Sequence, residues 1–345
     1  MKFFNDLSML LKKFDNCITS IDSHTEGETT RLIVNGLKDI KGSTMMEKLE
    51  FFQSNYDHVR CLLTKEPRGS DLLAALVTEN VSQNAEFGLI YMDAKRYPYL
   101  CGHATIGAVV TLAETGFLKL EQGENPVYID TPSGVMKAAV FVHGKNIDSV
   151  SIHMVPAFVY KTGQEIEVKG FGKIKIDIVC TGGFFAMVNS KEINIEPVLE
   201  NKSVLTDLGM KIIDAANEQL SVSHPLRPEV KTVDVTEFYE SQYDNGKASG
   251  TGMVIYGESH ADRSPCGTGT AAKLALLYHY GKIEINQDYV NYSPLGTSFN
   301  AKIVKKEKIG HFDGFVVQIK GMAYLTGVHH FIIENKDPFP QGFIM

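Results

Sequence analysis

A chain of 345 residues, 43% hydrophobic and 22% charged, with a formal net charge of −7, has an ordinary globular composition and room for one large or two medium domains. The acidic balance and the lack of any run of like charge argue against a nucleic-acid partner or an anionic membrane surface, which select basic patches. No apolar run approaches a membrane span, and Asn5, Asp6, Lys12 and Lys13 interrupt the start too often for a signal peptide, so a cytoplasmic location is expected.

Residues 1–17 read as an amino-terminal extension. Residues 20–36, SIDSHTEGETTRLIVNG, are strand-like, and a helix is expected over about 44–55. An apolar strand at Phe87–Met92 leads through a polar turn to Cys101-Gly102, which opens a helix over 103–115 closed by Gly116. Strands follow at 135–143 and 150–160. Pro156 and the run KTGQEIEVKGFGK then mark a lobe break near 155–170. A helix at 203–219, a strand at Gly252–Tyr256, a helix at 268–280 and a strand-rich run at 314–333 complete the chain. The pattern predicts an α+β fold of two pseudo-symmetric lobes, each a curved sheet or barrel wrapped on a central helix. The first lobe is expected at 18–157 with a carboxy-terminal strand at 330–345, the second at 158–329.

A duplication underlies the two lobes. Cys101 and Cys266 stand 165 residues apart, and around them Ile90-Tyr91 matches Ile255-Tyr256, Cys101-Gly102 matches Cys266-Gly267, and Thr105, Leu112 and Gly116 match Thr270, Leu277 and Gly281. Each copy reads strand, turn, Cys-Gly, helix. Both thiols therefore sit at a helix start, where unpaired N–H groups and the dipole favour an anion and lower a thiol pKa. The other three cysteines, Cys17, Cys61 and Cys180, read as inert. An odd count without CxxC spacing argues against a disulfide framework or a structural zinc site.

Two equivalent thiols facing one small substrate suit proton removal from one face of a carbon and delivery to the other. N–H groups at the helix starts suit a carboxylate. Rivals remain open on the residues alone. His103 and Asp262 supply fragments of a cysteine hydrolase, and a redox thiol pair is conceivable. A pyridoxal phosphate enzyme would need a Schiff-base lysine, which nothing marks. CGTGT is only weakly P-loop-like, since Lys273 is misplaced for that motif.

The motifs IDSHTEGETTR (21–31), KEPRG (65–69), CGHATIG (101–107), KTVDV (231–235) and DRSPCGTGTAAKLA (262–275) give the chain its likeness from about residue 18 to the end. It resembles the proline racemase family of proline racemases, 4-hydroxyproline 2-epimerases and trans-3-hydroxyproline dehydratases. The resemblance implies a homodimer with lobes like those of diaminopimelate epimerase, and no metal or organic cofactor. It implies Cys101 and Cys266 as the two acid/base groups, with Gly102, His103, Asp262, Gly267 and Thr268 as substrate contacts. Main-chain groups of the Gly and Thr positions would hold the carboxylate, and His103 and Asp262 would bracket the ring nitrogen. His24, Glu26 and Arg31 read as structural, and His329 and His330 as satisfied strand residues.

Departures bear on the substrate. Dehydratases of the family carry Thr or Ser at the second cysteine, so Cys266 favours inversion over water elimination. Ser70 and Leu73, in EPRGSDLLAAL, and Tyr256 resemble the hydroxyproline epimerases, and His224 is a candidate ring-hydroxyl contact. Phe184-Phe185-Ala186 instead resembles the proline racemases, and Leu100 replaces the usual Met. The expectation is a 4-hydroxyproline 2-epimerase or proline racemase, tilted slightly to hydroxyproline. A dehydratase or a non-catalytic ligand-binding relative stands as the alternative.

Overall fold

A computed structural model describes residues 17–344 except 71, 245, 246, 258 and 335. All of the expected amino-terminal extension but Cys17 lies outside the described residues, as does Asp71 of the EPRGSD run.

The first half opens with the hairpin β1 (Cys17–Thr25) and β2 (Glu28–Asn35). The run 20–36 breaks there because Glu26 (φ 48) and Gly27 (φ 102) turn the chain in left-handed backbone. Helix α1 (Met45–Thr64) crosses to β3 (Leu73–Thr78), which lies parallel to β2, and β4 (Phe87–Met92) returns antiparallel. Helix α2 (Gly102–Glu114) crosses to β5 (Gly123–Thr131), parallel to β4, and β6 (Gly134–His143) and β7 (Asn146–His153) follow as a meander.

The second half repeats this order. Strands β8 (Ala157–Val168), β9 (Gly172–Thr181) and β10 (Gly183–Asn189) are antiparallel neighbours. A short α3 (Ser190–Ile193) and a long α4 (Lys202–Gln219) cross to β11 (Val233–Asp244), parallel to β10, with β12 (Lys247–Tyr256) antiparallel to it. After the two-residue β13 (His260–Ala261), helix α5 (Gly267–His279) crosses to β14 (Tyr289–Tyr292), parallel to β12. Strands β15 (Ser298–Ile309) and β16 (Phe312–Gly321) close the meander. Each antiparallel and parallel pairing of the first half thus has its counterpart in the second: an α+β fold of two pseudo-symmetric lobes.

Two strands change sides. The chain leaves β7 for β8, which pairs with β9 and touches β16; it leaves β16 for β17 (Ala323–Ile332), which pairs with β1. β7 and β16 also pair with each other, so one continuous sheet runs through both lobes. The carboxy-terminal strand expected at 330–345 therefore lies earlier. Among the described residues beyond Ile332 a single bridge, Glu66 to Phe343, remains, since Pro338 and Pro340 cannot donate to a ladder. On these pairings we propose lobes of 17–156 with 323–344, and of 157–322.

Helices α2 and α5 form the two cores. Both lack a polar face, and α2 is buried from Gly102 to Leu112, as expected of a helix wrapped on all sides. In α5 the same holds from Gly269 to Leu277, with Lys273 as the one charged residue among them. Helix α1 runs well past residue 55. A non-helical Tyr56 (φ −132, ψ 16) shifts the phase of its apolar stripe and hides the continuation from a periodicity reading. Among the described residues no helix is long and apolar enough to cross a membrane.

Candidate active site

The two cysteines cap the two core helices. Cys101 is the residue before α2, in extended backbone (φ −146, ψ 115), and its side chain makes no cap bond. Cys266 holds the same place before α5 but at φ 57, ψ 117, and its Sγ accepts the Gly269 N–H at 3.3 Å. The helix starts meet through glycine. A Cβ added to Gly102 would lie 3.3 Å from Gly267 Cα, and one added to Gly267 would lie 3.3 Å from Gly102 Cα. Any side chain at either position would push the helix starts, and the cysteines before them, apart.

The two thiols open on one cavity of about 320 Å³. Of the expected site residues, Cys101, Gly102, His103, Asp262, Cys266, Gly267 and Thr268 line it, together with Leu73 and Tyr256. Ser70 and His224 do not. Ser70 is exposed on its loop. His224 turns away: its Nδ1 accepts the N–H groups of Leu226 and Arg227, both at 3.1 Å, and its ring meets Phe158 edge-on. It shapes the turn that carries Glu229 and Val230 to the cavity wall. Phe185 and Asp234, within segments that carry the family likeness, also reach the cavity, as do Arg96 and the Thr181–Gly183 corner, which no motif marks. KTVDV is visible as a motif, but strand periodicity says nothing about which strand end meets a pocket.

The two sulfurs have different neighbours. Cys101 Sγ lies 3.3 Å from His103 Nδ1. Burial opposes a charge on His103, but Cys101, Asp262 and Glu28 together outweigh it and push its pKa up to about 10. Among the described residues, Cys266 Sγ meets Thr268 Oγ1 and the Gly269 N–H instead of an imidazole. Burial, then Asp262, hold its thiol well above the ordinary range, with Thr268 Oγ1 (3.4 Å) and the Gly269 N–H acting the other way. The arrangement holds one sulfur beside a cation and the other as a proton-bearing thiol.

The spacing D-x-S-x-C explains how Cys266 is presented. Asp262 Oδ1 accepts the Ser264 N–H and hydroxyl, both at 2.8 Å, and Ser264 Oγ accepts the Cys266 N–H at 3.1 Å. Asp262 is thus a turn residue and a cavity residue at once. Burial, then the charge of Glu28, push its pKa up. Burial also works against a charge on Glu28, but His260 and Arg263 override it and hold its carboxylate far below the usual range. Arg263 grips both Glu28 oxygens at 2.8–3.1 Å, and its backbone N–H adds a further bond at 2.8 Å.

The other motif residues fasten the frame. Arg31 pairs with Asp22 and donates to the carbonyls of Leu63 and Arg68, tying the KEPRG loop to β2. Glu26 joins the lobes by accepting from Met322 N–H and Thr297 Oγ1. His24 packs on Tyr324, His329 lies 3.5 Å from Asp22, and His330 meets Thr19 at 3.1 Å. Cys180 is pushed up to about 12 by burial, and neither it nor Cys61 lines the cavity.

The family model described as proline racemase matches residues 20–344. The proline racemase of Clostridioides difficile is 40% identical over 334 residues, covering 96% of this chain and 99% of that one. A 4-hydroxyproline 2-epimerase of Streptosporangium roseum is 34% identical over 327 residues, covering 94% and 98%. Among solved structures, a probable proline racemase from Agrobacterium radiobacter K84 superposes with a TM-score of 0.87 at 26% identity, covering 95% of this chain and 96% of that one.

Proposed function

Because the chain belongs to the proline racemase family and is an isomerase of the racemase and epimerase class, we propose that it inverts the α-carbon of proline or 4-hydroxyproline by proton transfer between Cys101 and Cys266. The observation that carries this reading is the pair of helix-capping thiols on one small cavity. A thiolate at Cys101, beside the His103 imidazolium, takes the α-proton. The C–H electron pair stays on the α-carbon and spreads into the carboxylate. N–H groups at the starts of α2 and α5 face that growing charge. The Cys266 thiol then gives its proton to the other face, leaving Cys101 protonated and Cys266 as thiolate, ready for the reverse step.

Asp262 is the acceptor placed for the ring nitrogen. His103 carries its charge toward Cys101, so its share in holding that nitrogen is the smaller. With Ser70 outside the cavity, discrimination between proline and 4-hydroxyproline falls to Leu73 and Tyr256. The same proposal includes a cytoplasmic homodimer, checked by light scattering and fractionation.

The test is incubation with each L-isomer in D2O. The α-hydrogen exchanges and optical rotation decays; Cys101→Ser and Cys266→Ser each slow inversion by about 10²–10⁴-fold. Absence of exchange with both substrates refutes the reading. Release of pyrroline-2-carboxylate from trans-3-hydroxyproline, without inversion, replaces it with water elimination.

A further inference from the structure

Beneath Cys266, and not beneath Cys101, lies a buried pair of charges that the proposed chemistry does not use. Lys273 and Glu237 are both fully buried, with Nζ 3.2 Å from Oε1. A buried ion pair is costly to desolvate, and apolar residues of the same volume stabilise a core as well or better. In the first lobe the position 165 residues earlier is Ala108, fully buried without charge.

The pair leads to the strained cysteine. Lys273 Nζ donates to Asn291 Oδ1 at 2.8 Å, and Asn291 Nδ2 donates to the Pro265 carbonyl, also at 2.8 Å. That carbonyl belongs to the peptide that enters Cys266. Glu237 Oε2 lies 2.8 Å from where a Gly269 Cβ would be, against the residue whose N–H holds Cys266 Sγ. Cys266 needs such support. Its backbone is in left-handed φ with an extended ψ, a conformation a side chain keeps only when its surroundings over-determine it. Cys101 is in ordinary extended backbone.

We propose that Lys273, held by Glu237, is a positioning residue for Cys266: through Asn291 it anchors the Pro265 carbonyl and so fixes the cysteine's backbone. The proposal rests on Cys266 being the acid/base group, and its test is chosen to separate the two. The double variant Lys273→Met with Glu237→Gln removes both charges at nearly constant volume. Asn291→Asp keeps shape and still pairs with Lys273, but loses the donor to Pro265.

In both variants kcat falls about tenfold with KM changed less than about twofold, as expected of a displaced reacting group. Iodoacetamide labelling, read peptide by peptide, changes severalfold in rate and pH midpoint at Cys266 and stays unchanged at Cys101. The labelling needs no turnover, so a selective change at Cys266 upholds the positioning role even if no imino acid is inverted. Folded variants with parental labelling at both cysteines overturn it. So does failure of both variants to fold, which makes the buried network a stability element alone.

Discussion

Gly102→Ala places one carbon where the two helix starts meet. Its Cβ would lie 3.5 Å from Ile152 Cδ1 and Met154 Sδ, side-chain ends that can move aside, but 3.3 Å from Gly267 Cα, which can move only with the start of α5. Ordinary carbon contacts need about 3.5–4.0 Å, so the helix starts separate by a few tenths of an ångström. Overpacking of this kind costs about 1–3 kcal/mol, and the helix preference of Ala over Gly returns about 1 kcal/mol. The net loss of stability is then about 0–2 kcal/mol. Function is more sensitive. A displacement of about 1 Å costs about 10²-fold in rate, so about a third of that costs roughly fivefold, in kcat more than in KM. Gly267→Ala does the same from the other side, and the double variant falls below the product of the two because the new carbons face each other. Polarimetry at saturating substrate, beside thermal unfolding, measures both effects. A Gly102→Ala enzyme with parental kcat and parental Tm means the contact is slack and the reasoning fails.

His103→Gln removes the cation beside Cys101, and inversion falls about 10²-fold. In the parent, the His103 pKa raised to about 10 means that the stability from its charged form is full below about pH 6.5 and is lost as pH rises through about 10. The alkaline limb of the parent unfolding profile flattens in the variant. Glu28 has the opposite sign: with its pKa depressed, the stability it contributes is present above the ordinary carboxylate range and lost as pH falls through its folded value. Glu28→Gln therefore lowers stability at pH 7 and makes acid unfolding less steep below about pH 4; an unchanged acid limb by circular dichroism contradicts this. Tyr256→Phe lowers kcat/KM for 4-hydroxyproline relative to proline by about tenfold, since a lost hydroxyl penalises the substrate that was meant to bond it. An unchanged ratio removes Tyr256 from the discrimination.

The lobes and their central helices were legible because the duplication is written in ordered pairs, Cys101-Gly102 with Cys266-Gly267 and Gly116 with Gly281, and because core helices without a polar face need small and apolar residues throughout. Cavity residues next to those motifs, such as His103 and Asp262, were legible for the same reason. What depends on long-range pairing was not. Nothing local tells that Ala323–Ile332 joins β1, nor that Asp234 and Phe185 end at the cavity. His224 and Ser70 stand outside the cavity lining, and in sequence a polar residue beside a proline or glycine reads alike whether it faces a ligand or closes a turn. In sequence, Lys273 shows only as a poor match to a phosphate loop. Its burial depends on Glu237 and Asn291, 36 and 18 residues away in sequence.

The crossing of β8 and β17 bears on the origin of the fold. Each lobe is completed by the strand that follows the other lobe's last one. That is the connectivity of two identical subunits that exchanged a terminal arm across a twofold axis and were later fused end to end. In an exchanged dimer of that kind the Cys-Gly helix starts would meet on the axis, one thiol from each subunit, alike by symmetry. Within one chain no symmetry holds them alike. One sulfur has a histidine two residues on, and the other has a threonine there and a buried lysine about two turns into its helix. A symmetric reaction is thus served by a site whose two halves are free to differ.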